Sequence, residues 1–187
     1  MKQEEKHFSH IGEIEVPKGV EISLEGRDLY VRGPLGSVKK SFNRVPATFQ
    51  ISEDKILFEI NRKGVKGRAL VNTIKSILSN LFVGVIKGFT YKMKVYYRHF
   101  PISVSVKDRY VIIKNFGGER GSRKAKIVGD ANISVDGDNI IITGFSKEEV
   151  ALTAANIQSR CEVKKKDPRI FLDGIYVYSK AEGLESQ

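Results

Sequence analysis

Three histidines, one cysteine and a glycine-rich stretch are the residues of this 187-residue chain whose types could support catalysis or hold a ligand. His7 and His10 form one local pair, but they fall in an N-terminal stretch expected to be mobile, where a metal site would lack a scaffold. No His-Glu-x-x-His, Cys-x-x-Cys or mixed Cys/His spacing occurs. Gly117-Gly118-Glu119-Arg120-Gly121-Ser122 lacks the Gly-Lys-Ser/Thr end of a phosphate-gripping loop. It also leads into a basic strand, not a helix, so a nucleotide phosphate would find no helix N-terminus there. No Gly-x-Ser-x-Gly elbow is present. Cys161 shares an apolar helix face with Val150, Ala154 and Ile157, which makes it a small core residue. Carboxylates fall in hairpin turns or at a capped helix start. These observations predict no catalytic apparatus, no metal and no cofactor, and they disfavour an enzyme acting on a nucleotide or an acidic substrate.

The chemistry that remains is cationic. Lys and Arg number 32 against 22 Asp and Glu, for a formal charge of +10. Such an excess favours a polyanionic partner over a small acidic metabolite. Its distribution is uneven: Asn61 to Phe100 holds nine bases and no acid, and Pro101 to Lys126 adds seven bases against two acids. Carboxylates in a contact zone would oppose phosphate neutralisation, so a long acid-free stretch reads as nucleic-acid contact more than as a surface tuned for solubility. Arg62, Lys63, Lys66 and Arg68 alternate with Gly64 and Gly67 in a predicted loop before a helix, where the backbone could approach a phosphate chain. Tyr91-Lys92-Met93-Lys94 and Tyr96-Tyr97-Arg98-His99-Phe100 interleave bases with aromatics. There a cation could neutralise phosphate while a ring stacks on a base. The alternative is that Tyr91, Met93 and Val95 form the buried face of a strand.

The elements that must position these cations form a repeat. Val20, Ile22 and Leu24 fall on Ile102, Val104 and Val106 at an offset of 82 residues, as Leu29 to Arg32 fall on Val111 to Lys114. Phe49-Gln50-Ile51 and Ile56-Leu57-Phe58 match Ile133-Ser134-Val135 and Ile140-Ile141-Ile142 at an offset of 84. Period-two alternation and the short turns at 25–28, 52–55, 107–109 and 136–139 predict antiparallel meanders. Each half then closes with a helix. In the first, Leu70, Ile74, Ile77/Leu78, Leu81 and Val85 form one stripe between Arg68 and Lys87, with Gly88 as the stop. In the second, Ser146 and Glu149 form a capping box. The fold class is α+β: two tandem repeats, each a small antiparallel β-sheet packed against one long helix. The expected division is an extension over 1–13, a first repeat over 14–95, a second over 96–180 with an RNA-binding C-terminal segment, and a tail over 181–187. A single cysteine excludes an intrachain disulfide framework and suits a reducing compartment. No apolar run is expected to approach the roughly 20 residues of a bilayer span, and the polar N-terminus does not read as a secretory signal, so no membrane partner is expected.

Three stretches carry a family likeness. Arg68-Ala69-Leu70-Val71-Asn72-Thr73-Ile74, Gly84 to Met93 with the following His99-Phe100-Pro101-Ile102, and Asp167 to Val177 occur in the order found in a universal large-subunit ribosomal protein family. The chain resembles the L-six family (L-nine in eukaryotic naming), in its archaeal and eukaryotic form, over roughly Ile14 to Lys180. The resemblance implies a non-enzymatic, cytoplasmic constituent of ribosomes near the stalk base, with large-subunit ribosomal RNA and neighbouring ribosomal proteins as partners. Translation factors would pass nearby, and no small-molecule substrate is implied. It also implies which cations touch RNA: Lys164, Lys165, Lys166 and Arg169 with the turn at Asp173-Gly174, joined by Arg120, Arg123, Lys124 and Lys126. Arg62, Lys63, Lys66, Arg68, Lys92, Lys94 and Arg98 would reach neighbouring RNA. The competing reading is an RNA-binding module outside the ribosome.

Overall fold

Alternating residues between tight turns settle into short antiparallel ladders because each ladder then has one face to bury. The computed structural model describes residues 9–52, 54–164, 166–167 and 169–184. The chain divides into two compact units, Met1–Ile86 and Lys87–Gln187. In the first, β1 (Ser9–Glu15) precedes a meander of β2 (Glu21–Glu25), β3 (Asp28–Arg32) and β4 (Ser37–Ser41). A hairpin of β5 (Ala47–Ile51) and β6 (Lys55–Asn61) and the helix α1 (Gly64–Ile86) complete it. The strands form two sheets, ordered β2-β3-β4 and β1-β6-β5.

The second unit repeats this sequence of elements. β7 (Phe89–Tyr96) is followed by the meander β8 (Ser103–Lys107), β9 (Tyr110–Lys114) and β10 (Ser122–Lys126). The hairpin β11 (Asn132–Asp136) and β12 (Asn139–Gly144) comes next, then α2 (Lys147–Arg160). One strand is added, β13 (Gly174–Glu182), so the sheets are β10-β9-β8 and β11-β12-β7-β13. The α+β class and the duplication match the sequence expectation, with each unit's strands shared between two small sheets.

The cores are separate and apolar. Leu29, Val31, Phe58 and Ile60 meet Ile74, Leu78, Leu81, Phe82 and Val85 of α1 in the first unit. Met93, Ile113, Ile140, Ile142 and Ile175 meet Val150, Ala154, Ile157 and Cys161 in the second. Both predicted helix stripes are therefore core faces. Of the predicted capping box only half forms. Ser146 Oγ accepts from the Glu149 amide at 3.4 Å, whereas the Glu149 carboxylate turns away to accept from the Asp130 amide at 2.9 Å.

Four boundaries differ from expectation. The supposed extension over 1–13 contains most of β1, which pairs along its whole length with β6 (Ser9↔Asn61 to Glu15↔Lys55). Its inward face is His10, Gly12 and Ile14, too polar and too small to announce a strand. A Cβ on Gly12 would sit about 2.4 Å from the Phe58 ring, so glycine is what lets the strand lie on that ring. The first repeat ends at Ile86 and not at 95, because β7 pairs with β12 and β13. It opens the second unit as β1 opens the first. The expected tail over 181–187 begins inside β13, and Leu184 donates its amide to the Lys87 carbonyl at 2.9 Å. Finally, α1 starts at Gly64, four residues before the expected Arg68, and is long and apolar enough to cross a bilayer by length and composition alone. The expectation of no such run overlooked it; its stripe is occupied by the sheets of its own unit.

Leu81 is 7% exposed and lies in the middle of that stripe. Leu81→Ala should therefore lower the stability of the folded chain by about 2–5 kcal/mol in urea unfolding. A change near zero would mean that the stripe is not the buried face.

Candidate nucleic-acid interface

The β8-β9-β10 meander has one face turned into the core and one turned out. Val104, Val106, Val111, Ile113, Arg123 and Ala125 share the inner face, since Val106↔Val111↔Ala125 and Val104↔Ile113↔Arg123 are aligned across the strands. The outer face is Lys107↔Tyr110↔Lys126, Ser105↔Ile112↔Lys124 and Ser103↔Lys114↔Ser122. Four lysines and a tyrosine stand there with three serines and no carboxylate, and all four lysines are exposed. Neighbouring strands lie about 4.8 Å apart, so these ammonium groups form a patch on the scale of successive phosphates.

The first unit supplies an internal control. The corresponding outer face of β2-β3-β4 carries Glu21, Glu25 and Asp28 against Arg32 and Lys39. That is three acids and two bases, net −1, against four bases and no acid, net +4, in the second unit. One of the two first-unit cations is also paired: Lys39 Nζ lies 2.7 Å from Asp28 and 5.1 Å from the Tyr30 ring centroid. That ammonium holds the Asp28 carboxyl below its ordinary range. The same scaffold has therefore been given a neutralised surface once and a cationic one once.

Lys124 and Lys126, two of the expected RNA contacts, lie on this face, and Arg120 is exposed in the turn before it. Lys107, Lys114 and Tyr110 were not anticipated, although period-two counting from Lys124 and Val111 would have placed them there. Arg123 faces inward. Its guanidinium bonds both Glu119 oxygens (2.9 Å from Nε), donates to the carbonyl of Arg160 at 2.6 Å and lies 4.1 Å from the Phe116 ring centroid. The Glu119 carboxyl is held below its usual range chiefly by that hydrogen bond. Arg123 thus ties the meander to the C-terminal end of α2 and presents little charge outward.

The remaining predicted cations are distributed over both units. Arg62, Lys63, Lys66 and Arg68 are exposed in the first unit, but Lys66 and Arg68 belong to the first turns of α1 and not to a loop. Gly67 is not open to a phosphate, because a Cβ there would meet the Arg62 carbonyl and the His10 ring at about 2.2 Å. His10 is thus part of a packed strand and not of a mobile tail; His7 lies outside the described residues. In β7, Lys94 is exposed and Lys92 half-buried, while Tyr91, Met93 and Val95 are the buried face. Arg98 is exposed, and its amide donates to Asp173 at 3.1 Å. Lys164 and Lys166 are exposed, Arg169 pairs with Asp167 at 2.9 Å, and Lys165 lies outside the described residues. Gly174 is buried in β13 beneath the Tyr176 ring.

Cys161 is 2% exposed, and burial pushes its thiol up to about 12. Among the described residues no group of three or more His, Cys, Asp or Glu could hold a metal.

Fold and face together define a class, an internally duplicated α+β scaffold that presents a cationic sheet face. The family model for ribosomal protein L6 matches residues 100–174, which include that face. Large ribosomal subunit protein uL6 of Methanocella arvoryzae is 41% identical over 173 residues, covering 91% of this chain and 97% of the relative. The uL6 protein of Staphylothermus marinus is 44% identical over 174 residues, covering 91% and 94%. That of Desulfurococcus amylolyticus is 41% identical over 179 residues, covering 94% and 97%. The chain belongs to the ribosomal protein L6 (uL6) family. Members of this family are structural components of cytoplasmic ribosomes and not enzymes.

Two outcomes follow from the site. Arg123→Ala should cost about 1 kcal/mol of stability, because it removes the hydrogen bonds to the half-exposed Glu119 and to the Arg160 carbonyl. The salt dependence of any RNA binding should stay unchanged, and a flattened dependence at full stability would return Arg123 to the interface. Cys161, neutral through ordinary pH, should resist iodoacetamide at pH 8 in the native chain and react fully in denaturant; rapid native alkylation would contradict its burial.

Proposed function

We propose that the chain is a structural constituent of the large ribosomal subunit that docks onto ribosomal RNA near the stalk base and the factor-binding region. The observation that carries this reading is the acid-free outer face of β8-β9-β10, set against the charge-balanced face at the same place in the first unit. A surface kept only for solubility would not need to differ between two copies of one scaffold. Folded RNA is recognised chiefly through phosphates, 2′-hydroxyls and shape, which calls for spaced cations on a rigid support and for no reactive group. Lys107, Lys114, Lys124 and Lys126 supply such cations on strands, where backbone pairing fixes their spacing. Lys164, Lys165, Lys166, Arg169 and Arg120 extend the contact from adjoining segments of the second unit. Arg62, Lys63, Lys66 and Arg68 of the first unit, with Lys92, Lys94 and Arg98 of the second, reach further RNA. Neighbouring ribosomal proteins and passing translation factors complete the surroundings that the family likeness implies.

The test combines location with charge. In a sucrose gradient the chain should travel with large subunits; a chain that stays at the top even in low salt would sink the ribosomal reading. With purified large-subunit RNA, changing Lys107, Lys124 and Lys126 together to Ala should flatten the slope of log affinity against log salt by about 2–3 while leaving the melting temperature unchanged. An unaltered slope would remove this face from the contact.

A further inference from the structure

The second unit holds a cavity of about 550 Å³ between the C-terminal end of α2 and the start of β13. That volume is within the roughly 300–1,000 Å³ typical of small-ligand sites. Its walls include Phe171, Tyr176, Val163 and Ile175, and Gln158, Lys166 and Glu162 also line it. The aromatic walls are held in place. The Tyr176 hydroxyl donates to the Leu172 carbonyl at 3.2 Å, and the Tyr176 ring lies where a Cβ on Gly174 would be, about 2.7 Å from that point. Phe171 is anchored through its amide to the Asp167 carbonyl at 3.0 Å, and Lys166 Nζ stands 4.5 Å from its ring centroid. Both rings remain partly open, at 37% and 43% exposure for Phe171 and Tyr176.

We infer that this cavity receives one unstacked nucleobase of the RNA that the unit docks on, an inference that rests on the RNA-docking reading above. The occupant follows from the lining and its charge. Flat aromatic walls suit a flat heterocycle, because base–aromatic stacking works with any base. The Gln158 amide can both donate to and accept from a base edge. Lys166 on the lining and exposed Lys164 two residues before it outnumber the lining carboxylate Glu162, which leaves a net positive charge for the phosphate of an extruded nucleotide. An apolar protein side chain would match Val163 and Ile175 but would make no use of the flat ring faces or of the Gln158 amide. Gly174 has a role on this reading: it lets the Tyr176 ring fold back and form the wall.

The experiment uses the full chain and deproteinised large-subunit RNA in filter binding across a salt series. Phe171→Leu keeps apolar bulk but removes the stacking surface, and should weaken binding roughly tenfold with an unchanged salt slope. Phe171→Tyr should restore wild-type affinity. If Phe171→Leu binds as tightly as wild type, the cavity is not a base pocket although the docking reading survives. If wild type itself binds without salt dependence, the docking reading fails and takes the pocket with it. Ultraviolet irradiation of wild-type complexes, followed by mass spectrometry, gives a readout that needs no variant. A nucleotide adduct on the peptide containing Phe171 or Tyr176 supports the pocket, and its absence from cross-linked complexes overturns it. The corresponding irradiation of intact large subunits must not yield a protein–protein adduct at the same peptide, for that result would make the occupant a polypeptide.

Discussion

Each unit is closed by a long-range strand pairing. β1 reaches across the meander to lie against β6, joining Ser9 to Asn61, and β7 does the same with β12, joining Phe89 to Gly144. Only when that ladder forms does a sheet exist broad enough to cover the helix stripe, so the apolar burial that stabilises the unit depends on the pairing. The loop-closure cost is the price of this arrangement, and the buried faces of Ile74, Leu78 and Val85 or Val150, Ala154 and Ile157 offset it. The outer face of each meander takes no part in that core. Its side chains can therefore change without disturbing the fold.

That freedom explains how one scaffold carries two surfaces. The first unit places Glu21, Glu25 and Asp28 among its cations and ties Lys39 to Asp28. The second has Ser103, Lys107 and Tyr110 at these three positions, keeps bases in Lys114 and Lys124 where the first has Arg32 and Lys39, and gains Lys126 in the place of Ser41. A second difference is β13, which covers the free edge of β7, whereas β1 remains an edge strand in its own sheet. The sheet extended by β13 also forms one side of the cavity at Phe171 and Tyr176. Charge, added strand and cavity all belong to the second unit, where the family model matches.

Much of this was legible beforehand because the relevant forces are local. The repeat, the antiparallel turns, both helix stripes and the core placement of Cys161 depend on spacing along the chain. β1 was missed because His10, Gly12 and Ile14 give no apolar alternation; what they fit is the Phe58 ring and the start of α1. The 95/96 boundary failed for a related reason, since β7 follows α1 closely in sequence while all its pairing partners come later. Among the site residues, Lys124 and Lys126 were expected from the family resemblance, and counting alternate residues places Lys107, Lys114 and Tyr110 on the same face. Arg123 could not: only its distances to Glu119, Phe116 and the Arg160 carbonyl distinguish it from its neighbours.

By itself the sequence determined the composition of the surface and the period of each element, and with them the α+β class, the duplication and the cationic character. These are properties of residue type and near-neighbour spacing, which the chain carries whether or not it is folded. Tertiary structure alone decided which cations face outward, which strand opens each unit, and that Phe171, Tyr176 and Lys166 surround one cavity with the end of α2. Those outcomes depend on contacts between residues far apart in the chain, and no local pattern encodes which distant partner a side chain will meet.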